Sequence, residues 1–376
     1  MRVSNAELEI DLAALCANYR LLAAGAPGAE AAAVVKCDAY GLGAEAVATT
    51  LEAHEGCRIF FTAYPEEGAA LRPLLKNSEA EIFVFNGPFD DDLDLYENFS
   101  LTPVINTLSQ AISWAGKYPN AAAALHIDTG MNRLGVSAGE LKKLRNIGGL
   151  KIDAVISHLA CASNPDDKKN EEQRKLFDAA ASAFPNARRS ISATGGALIG
   201  DAFSFDMVRL GVGLYGASAQ DEPSLILNNV AQLTAPVIQL RDIAPGETVG
   251  YGASYTAERE MRLATVALGY GDGFPRFAYA EREAVIADVR RRFVGRVSMD
   301  LIVLDVTDGP SVEIGDRAEF FGPDLNIDEA AAASGTIGYE LLTVIGGLTQ
   351  RRSLGERVRR RYVWNGAPIE SLPGAL

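Results

Sequence analysis

A lysine closes the apolar run Ala31-Ala-Ala-Val-Val-Lys36, and a tyrosine follows inside the Gly-bounded turn Cys37-Asp-Ala-Tyr40-Gly-Leu-Gly43. An amine at the end of a buried strand either snorkels to water or is held in a pocket, where it can add to a carbonyl. A second reactive stretch is Arg209-Leu-Gly211-Val212-Gly, preceded in the chain by Thr194-Gly-Gly. Backbone N–H groups in such turns, with a threonine hydroxyl, can cradle a phosphate; the same residues also suit an ordinary tight turn. An amine for an aldehyde and a cradle for a phosphate are together what pyridoxal phosphate requires.

These residues need elements to bring them together. Apolar runs at Ala31–Lys36, Arg58–Ala63, Glu81–Asn86, Leu101–Ile105, Ala122–Asp128, Ile152–His158, Arg189–Ala193 and Met207–Leu210 predict eight strands. Helices are expected between them. Asp11 precedes Leu12, Leu15, Tyr19 and Leu22 at helical spacing, and Ala44–Ala53 continues as a helix after the lysine turn. Thr107 precedes Leu108–Ala115, Ser137-Ala-Gly-Glu140 is a capping box ahead of Leu141–Ile147, and Asp166–Phe184 is amphipathic. Eight such repeats predict an α/β fold of the (β/α)8 barrel type, with an open doubly wound sheet as the alternative. Lys36, Tyr40, Asn86, Asp128, Arg133, His158 and Thr194 all follow strands, which in a barrel is one rim.

From Ala231 the texture changes to short alternating strands at Val237–Leu240, Leu263–Leu268, Glu283–Ile286, Arg292–Val297, Leu301–Asp305 and Arg317–Phe321, with late helices at Asn326–Ser334 and Tyr339–Ile345. The expected division is therefore a barrel over 1–230 and a mostly β domain over 231–376, the first strand being a candidate to join the β domain.

The 376 residues carry a net charge of −14, which argues against nucleic acid and anionic membrane as partners. No run approaches the roughly 18 apolar residues of a membrane span, and a cytoplasmic protein is expected. Cys16, Cys37, Cys57 and Cys161 lack paired spacing, and His54, His126 and His158 lack metal-ligand spacing, so free thiols and no metal are expected.

Eight motifs fall in an order that resembles the alanine racemase family along almost the whole chain. They are Val34-Val-Lys36-Cys-Asp-Ala-Tyr40-Gly-Leu-Gly43, His126-Ile-Asp-Thr-Gly-Met-Asn-Arg133-Leu-Gly, Ser157-His158, Arg209-Leu-Gly-Val, Tyr251-Gly-Ala-Ser-Tyr255-Thr, Gly269-Tyr270-Gly-Asp-Gly, Gly295-Arg-Val-Ser-Met299-Asp300 and Thr336-Ile-Gly-Tyr339-Glu. The resemblance implies interconversion of L- and D-alanine for peptidoglycan on pyridoxal phosphate. Lys36 would form the Schiff base and serve as one base, and Tyr255 would be the other, on the opposite face of the substrate carbon. Amine and phenol both titrate near ~10, so each needs help at neutral pH. For Tyr255 the resemblance offers His158, oriented by Arg209. Arg209 would also donate to the pyridine nitrogen without surrendering its proton, which favours proton return at Cα over transamination. Tyr40, Thr194, Gly211, Val212 and Tyr339 would hold the phosphate, and Arg133 the substrate carboxylate. Met299 and Asp300 would line the substrate pocket; Tyr270, Arg276 and Arg296 would form its gate. A homodimer with composite sites follows from the resemblance.

Two departures stand out. Many members have a lysine seven residues before the carboxylate-binding arginine, where this chain has His126, so a bound anion or another carboxylate is expected to position Arg133. Ala193-Thr194-Gly-Gly replaces the commoner Asn-Ser-Ala-Ala but keeps a hydroxyl. The alternatives are a broader small amino-acid racemase, a barrel-type decarboxylase, a pyridoxal-phosphate carrier and a phosphosugar enzyme. Arg209 argues against the decarboxylase, which prefers an acidic group at the pyridine nitrogen. The β domain argues against the carrier.

Overall fold

A computed structural model describes residues 5–223, 225–277, 281–349 and 357–369. β1 (Ala6–Asp11) precedes eight parallel strands: β2 (Glu30–Val34), β3 (Ile59–Thr62), β4 (Glu81–Val84), β5 (Thr102–Ile105), β6 (Ala122–His126), β7 (Lys151–Ile156), β8 (Arg188–Ser190) and β9 (Met207–Leu210). Each strand from β2 to β7 pairs with the next, and β9 returns to pair with β2. The ends meet just beyond β8, where Arg209 N–H donates to Ser192 O at 2.9 Å and Ala193 bridges Arg209. The sheet is a closed barrel, not the open alternative. All eight expected strands are present. Most stop one or two residues early because Lys36, Asn86, Asp128 and His158 have already turned into mouth loops.

The strands are buried along almost their full length because the barrel interior covers one face and helices the other. Small Ala31, Ala32 and Ala33 of β2 sit beside large Phe60 and Phe61 of β3, and Phe61 stacks on Phe83 at 4.8 Å and Phe85 at 4.9 Å. The expected caps hold. The Asp11 carboxylate accepts from Ala13 and Ala14 N–H at 2.8 and 3.2 Å and opens Leu12–Ala24. Thr107 accepts from Gln110 N–H. The helix expected over Asp166–Phe184 spans Lys168–Ala181, with Asp167 as its cap. The Ser137–Glu140 capping box opens its helix at Ala138, three residues before the expected start, because the cap residue itself fixes the first turn.

β10 (Ala231–Ile243) anchors a nine-stranded sheet and pairs with Met261–Val266, Arg317–Phe321 and, antiparallel, β1. The first strand thus belongs to this sheet, between β10 and the parallel strand Val358–Trp364. One expectation is corrected here, and one strand was not foreseen. Arg292–Val297 is not a strand; Val289–Arg292 is, in a hairpin with Glu283–Ile286. Its turn, Ala287-Asp288, has φ of 52° and 61°, a geometry usually announced by glycine, which is missing here. Val358–Trp364 went unread because Arg359, Arg360 and Arg361 mask its apolar positions.

Candidate active site

The chain leaves β2 through an unusual turn. Cys37, Asp38, Ala39 and Tyr40 all adopt left-handed helical φ, 53–56°, without a glycine among them. Such backbone costs roughly 1–2 kcal/mol per residue for L-amino acids, so tertiary contacts must hold it. Cys37 N–H donates to Glu67 Oε1 at 2.6 Å. Ala44 N–H donates to Asp38 Oδ1 at 2.8 Å, and Arg360 Nη2 to Asp38 Oδ2 at 2.6 Å. Glycine follows at Gly41, φ 87°, where a Cβ would meet Leu342 O at 2.7 Å. Nothing in Cys-Asp-Ala-Tyr announces this conformation, and sequence reasoning missed Glu67 and Arg360 as its supports.

At the head of this turn the Lys36 amine lies over the Phe85 ring, 5.7 Å from its centroid. Burial lowers its pKa; Arg133 and Arg209 push the same way, against Cys37 and Glu67. At the other end Tyr40 is buried against Tyr215, at 4.9 Å, and Tyr339, at 6.1 Å. Burial raises both the Tyr40 and the Tyr339 phenol, the latter to about 12, so both stay protonated donors.

Across the barrel closure Thr194 accepts from Gly211 N–H at 2.9 Å. A Cβ on Gly211 would lie 2.7 Å from Tyr40 Oη, and one on Gly213 would lie 2.6 Å from Thr194 Cγ2. Bare backbone thus faces the Tyr40 and Thr194 hydroxyls, with Val212 buried between the two glycines. This fits a phosphate held by hydroxyl and N–H donors next to a lysine that can reach an aldehyde.

Arg209 is 2% exposed. Its Nη1 donates to Ser190 O and Oγ at 2.8 and 2.6 Å, and its Nη2 to Ser157 O at 2.6 Å and Ile191 O at 3.3 Å. All of these acceptors are neutral, so Arg209 is not half of a structural salt bridge. Burial lowers its pKa to about 9, which still leaves a cation at neutral pH. Its Nη2 lies 3.5 Å from His158 Nδ1, and as guanidinium only donates, Nδ1 is the acceptor. Burial and then Arg209 hold His158 neutral, well below the usual imidazole range. Gln173 fixes the same loop, donating to His158 O at 2.9 Å and Thr129 Oγ1 at 3.1 Å and accepting from Ala160 N–H at 2.8 Å.

His126 is buried, and its Nδ1 lies 2.9 Å from Asn106 Oδ1. Asn106 Nδ2 donates to Phe85 O and Val104 O, at 2.8 and 3.0 Å, so its oxygen faces the ring and Nδ1–H is the donor. Burial, with Arg209 and Arg133, lowers His126 to about 4. Asp128 accepts N–H groups of Gly130, Met131 and Asn132 at 2.9–3.1 Å and so shapes the loop that carries Arg133. Of the two partners expected to position Arg133, a bound anion or another carboxylate, the carboxylate is not found among the described residues. Among the described residues no acidic group lies within ion-pair distance of its exposed side chain.

The remaining expected site residues belong to the β domain. Tyr255 donates to Met261 Sδ at 3.3 Å and packs in a satellite cluster with Ile243, Val249 and Leu263, apart from the main core that holds Tyr40. Arg296 lies beside the Tyr251–Ala253 turn that leads into Tyr255. Tyr270 N–H donates to Ser298 O and Gly271 N–H to Met299 O, so the Tyr270 turn and Met299-Asp300 form one unit. Arg357, which sequence reasoning missed, pairs with buried Asp272 at 2.7 Å and also with Asp300. Tyr270, Arg276, Arg296, Met299 and Asp300 are exposed on this single chain. The chain alone therefore gathers Lys36, Tyr40, His158, Thr194, Arg209, Gly211, Val212 and Tyr339, whereas Tyr255 packs in a separate cluster.

Fold and site together define an α/β-barrel protein with a lysine-centred, cationic mouth and a fused β domain. The family described as alanine racemase, N-terminal domain, matches residues 10–219, and that described as alanine racemase, C-terminal domain, matches residues 230–353. The chain belongs to the alanine racemase family. It is 41% identical over 357 residues to an alanine racemase of Methylobacterium sp. (strain 4-46), covering 92% of this chain and 97% of that one. It is 40% identical over 375 residues to a catabolic alanine racemase of Agrobacterium fabrum, covering 96% and 93%. Among solved structures, alanine racemase from Bartonella henselae with covalently bound pyridoxal phosphate matches with a TM-score of 0.87 at 33% identity, over 96% of this chain and 100% of that one. The biosynthetic enzyme of Pseudomonas aeruginosa matches with a TM-score of 0.86 at 34% identity, over 96% and 99%.

Proposed function

We infer that this chain is a pyridoxal-phosphate-dependent racemase that interconverts L- and D-alanine, by two bases on opposite faces of the substrate Cα. The observation that carries this reading is the Lys36 amine at the barrel mouth, its pKa lowered by burial and two arginines, beside a bare-backbone cradle rimmed by hydroxyls. When bound, the cofactor supplies an electron sink that acidifies the substrate Cα–H.

The protein's own groups do the rest. Lys36 would hold the cofactor, and its lowered pKa lets the free amine take or return a proton on one face of the substrate Cα. Tyr40, Thr194, Tyr339 and the backbone at Gly211 and Val212 hold the phosphate. Arg209 would hold the pyridine nitrogen by a hydrogen bond while keeping its own proton, which favours proton return at the substrate Cα. Arg133 binds the substrate carboxylate. The second base is Tyr255, assisted by neutral His158. It comes from the second copy of a homodimer, because within one chain it packs in a separate cluster. Met299 and Asp300 of that copy close the pocket, and Tyr270, Arg276 and Arg296 gate it. The proposed physiological role is cytoplasmic supply of D-alanine for peptidoglycan.

The test is solvent-deuterium exchange at Cα of each alanine enantiomer, with borohydride trapping of the cofactor. Wild type should exchange both enantiomers and trap cofactor on Lys36. Lys36→Ala should lose trapping and drop kcat at least 1,000-fold. Tyr255→Phe should keep trapping and lose exchange of one enantiomer far more than of the other. Equal loss for both would defeat the two-base scheme, and trapping in Lys36→Ala would defeat the assignment of the lysine.

A further inference from the structure

We propose that Arg360 is a positioning residue for Lys36: by pairing with Asp38 it holds residues 37–40 in their left-handed turn, making the C-terminal strand part of the device that aims the lysine. The proposal rests on Lys36 being the cofactor-bonded residue. Arg360 lies beyond residue 353, where the family match ends.

Asp38 is the hub of the turn. Its Oδ1 accepts from Ala44 N–H at 2.8 Å, its Oδ2 accepts from Arg360 at 2.6 Å, and its carbonyl accepts from Gly43 N–H at 2.8 Å. Both carboxylate oxygens are thereby committed, one to the helix that follows the turn and one to the β domain. The pair is largely sheltered, with side chains 17% and 21% exposed, so removing one partner strands the other charge. Arg360 also donates to Gly346 O at 3.1 Å, tying the turn to Gly338–Thr349, the helix that carries Tyr339.

Strand periodicity separates this function from simple sheet building. Arg360 and Tyr362 are two residues apart on Val358–Trp364 and share a face. Tyr362 donates to Leu42 O at 3.0 Å, just past the turn. Arg361, between them, points the other way and pairs with Glu9 of β1 at 2.6 Å. One face of the strand therefore grips the lysine turn and the other grips the sheet. The residues of the turn do not favour this backbone on their own, so a grip from outside is what keeps it.

The test uses full-length purified protein, with and without added pyridoxal phosphate. Hydrogen exchange is read in peptides covering residues 37–44, together with kcat, KM and thermal midpoint. Arg360→Met should speed exchange of that segment at least tenfold in both forms. It should lower kcat at least tenfold with KM within about threefold. Arg360→Lys should recover part of both losses, and Arg361→Met should leave exchange of the segment as in wild type. Asp38→Asn keeps the acceptor for Ala44 and removes only the charge, so it carries the test if Arg360→Met does not fold. Wild-type exchange of residues 37–44 in Arg360→Met or Asp38→Asn overturns the proposal, as does an equal increase in Arg361→Met. Borohydride trapping in Lys36→Ala would instead remove the assignment of Lys36, while the exchange data would still report whether Arg360 holds the turn.

Discussion

At the scale of single residues, His126 and His158 make a prediction about pH. Burial in a pocket shared with Arg209 and Arg133 lowers His126 to about 4 from 6.5, and His158 moves the same way. Between those two values the unfolded chain binds a proton that the folded chain excludes. Stability is therefore full above about pH 6.5 and is lost as pH falls toward 4, by about 3 kcal/mol at most for His126. His126→Gln keeps a donor for Asn106 but cannot titrate. Its urea midpoint should fall less than wild type's between pH 7 and pH 5, by an amount worth about 2 kcal/mol; an unchanged fall would mean that the imidazole is charged in the fold. At this scale the sequence showed much. Lys36 and the Thr194–Gly211 cradle were legible as candidate chemistry because an amine ending an apolar strand and glycines after barrel strands are informative by type, whereas the parts expected of Tyr40 and Arg209 came from the family resemblance. Asn106, Gln173 and Arg360 were not legible, because a hydrogen-bond partner is chosen by spatial approach and leaves no spacing rule behind.

At the scale of elements, the same contrast separates strands from turns. Eight apolar runs and their caps told the barrel, since burial on both faces imposes a composition on the chain. The turn after β2 and the Ala287-Asp288 hairpin defied reading, because left-handed residues there are held by packing instead of by glycine. Helix Gly338–Thr349 shows how tight that packing is. A Cβ on Gly346 would overlap the carbonyl of Gly41, backbone that cannot swing aside, whereas Gly347 beside it faces open space. Alanine favours a helix over glycine by about 1 kcal/mol at either position. At Gly347 nothing opposes this gain, so Gly347→Ala should stabilise by up to that amount. At Gly346 an overlap costing about 1–3 kcal/mol opposes it. Gly346→Ala should lower the melting temperature and, by displacing the helix that carries Tyr339, weaken retention of pyridoxal phosphate in dialysis. Equal stabilisation by both substitutions would show that the helix does not press on the lysine turn.

At the scale of the molecule, the proposed pairing of Lys36 with Tyr255 depends on how the two domains of different copies meet. β1 and Val358–Trp364 tie the ends of the chain into one sheet, so the β domain is fastened to its own barrel. Tyr255 nevertheless packs in a cluster apart from the main core, and the chain exposes Phe277 at 71%, Ile337 at 61% and Met299 at 53%. Exposed apolar side chains suit burial by another copy, and a two-fold pair would exchange the same surfaces reciprocally. If each site takes Lys36 from one subunit and Tyr255 from the other, two inactive variants should rescue each other. In a mixed dimer of Lys36→Ala with Tyr255→Phe, one site carries both defects and the other carries neither. Random reassortment of equal amounts makes half of the dimers mixed, so activity should return to about a quarter of wild type. If both groups came from one chain, every site would hold one defect and mixing would restore nothing. The measurement is racemisation after the two purified variants are co-refolded, with each variant refolded alone as the baseline. A mixture that gains nothing, while mass analysis shows that mixed dimers have formed, would return both bases to a single chain.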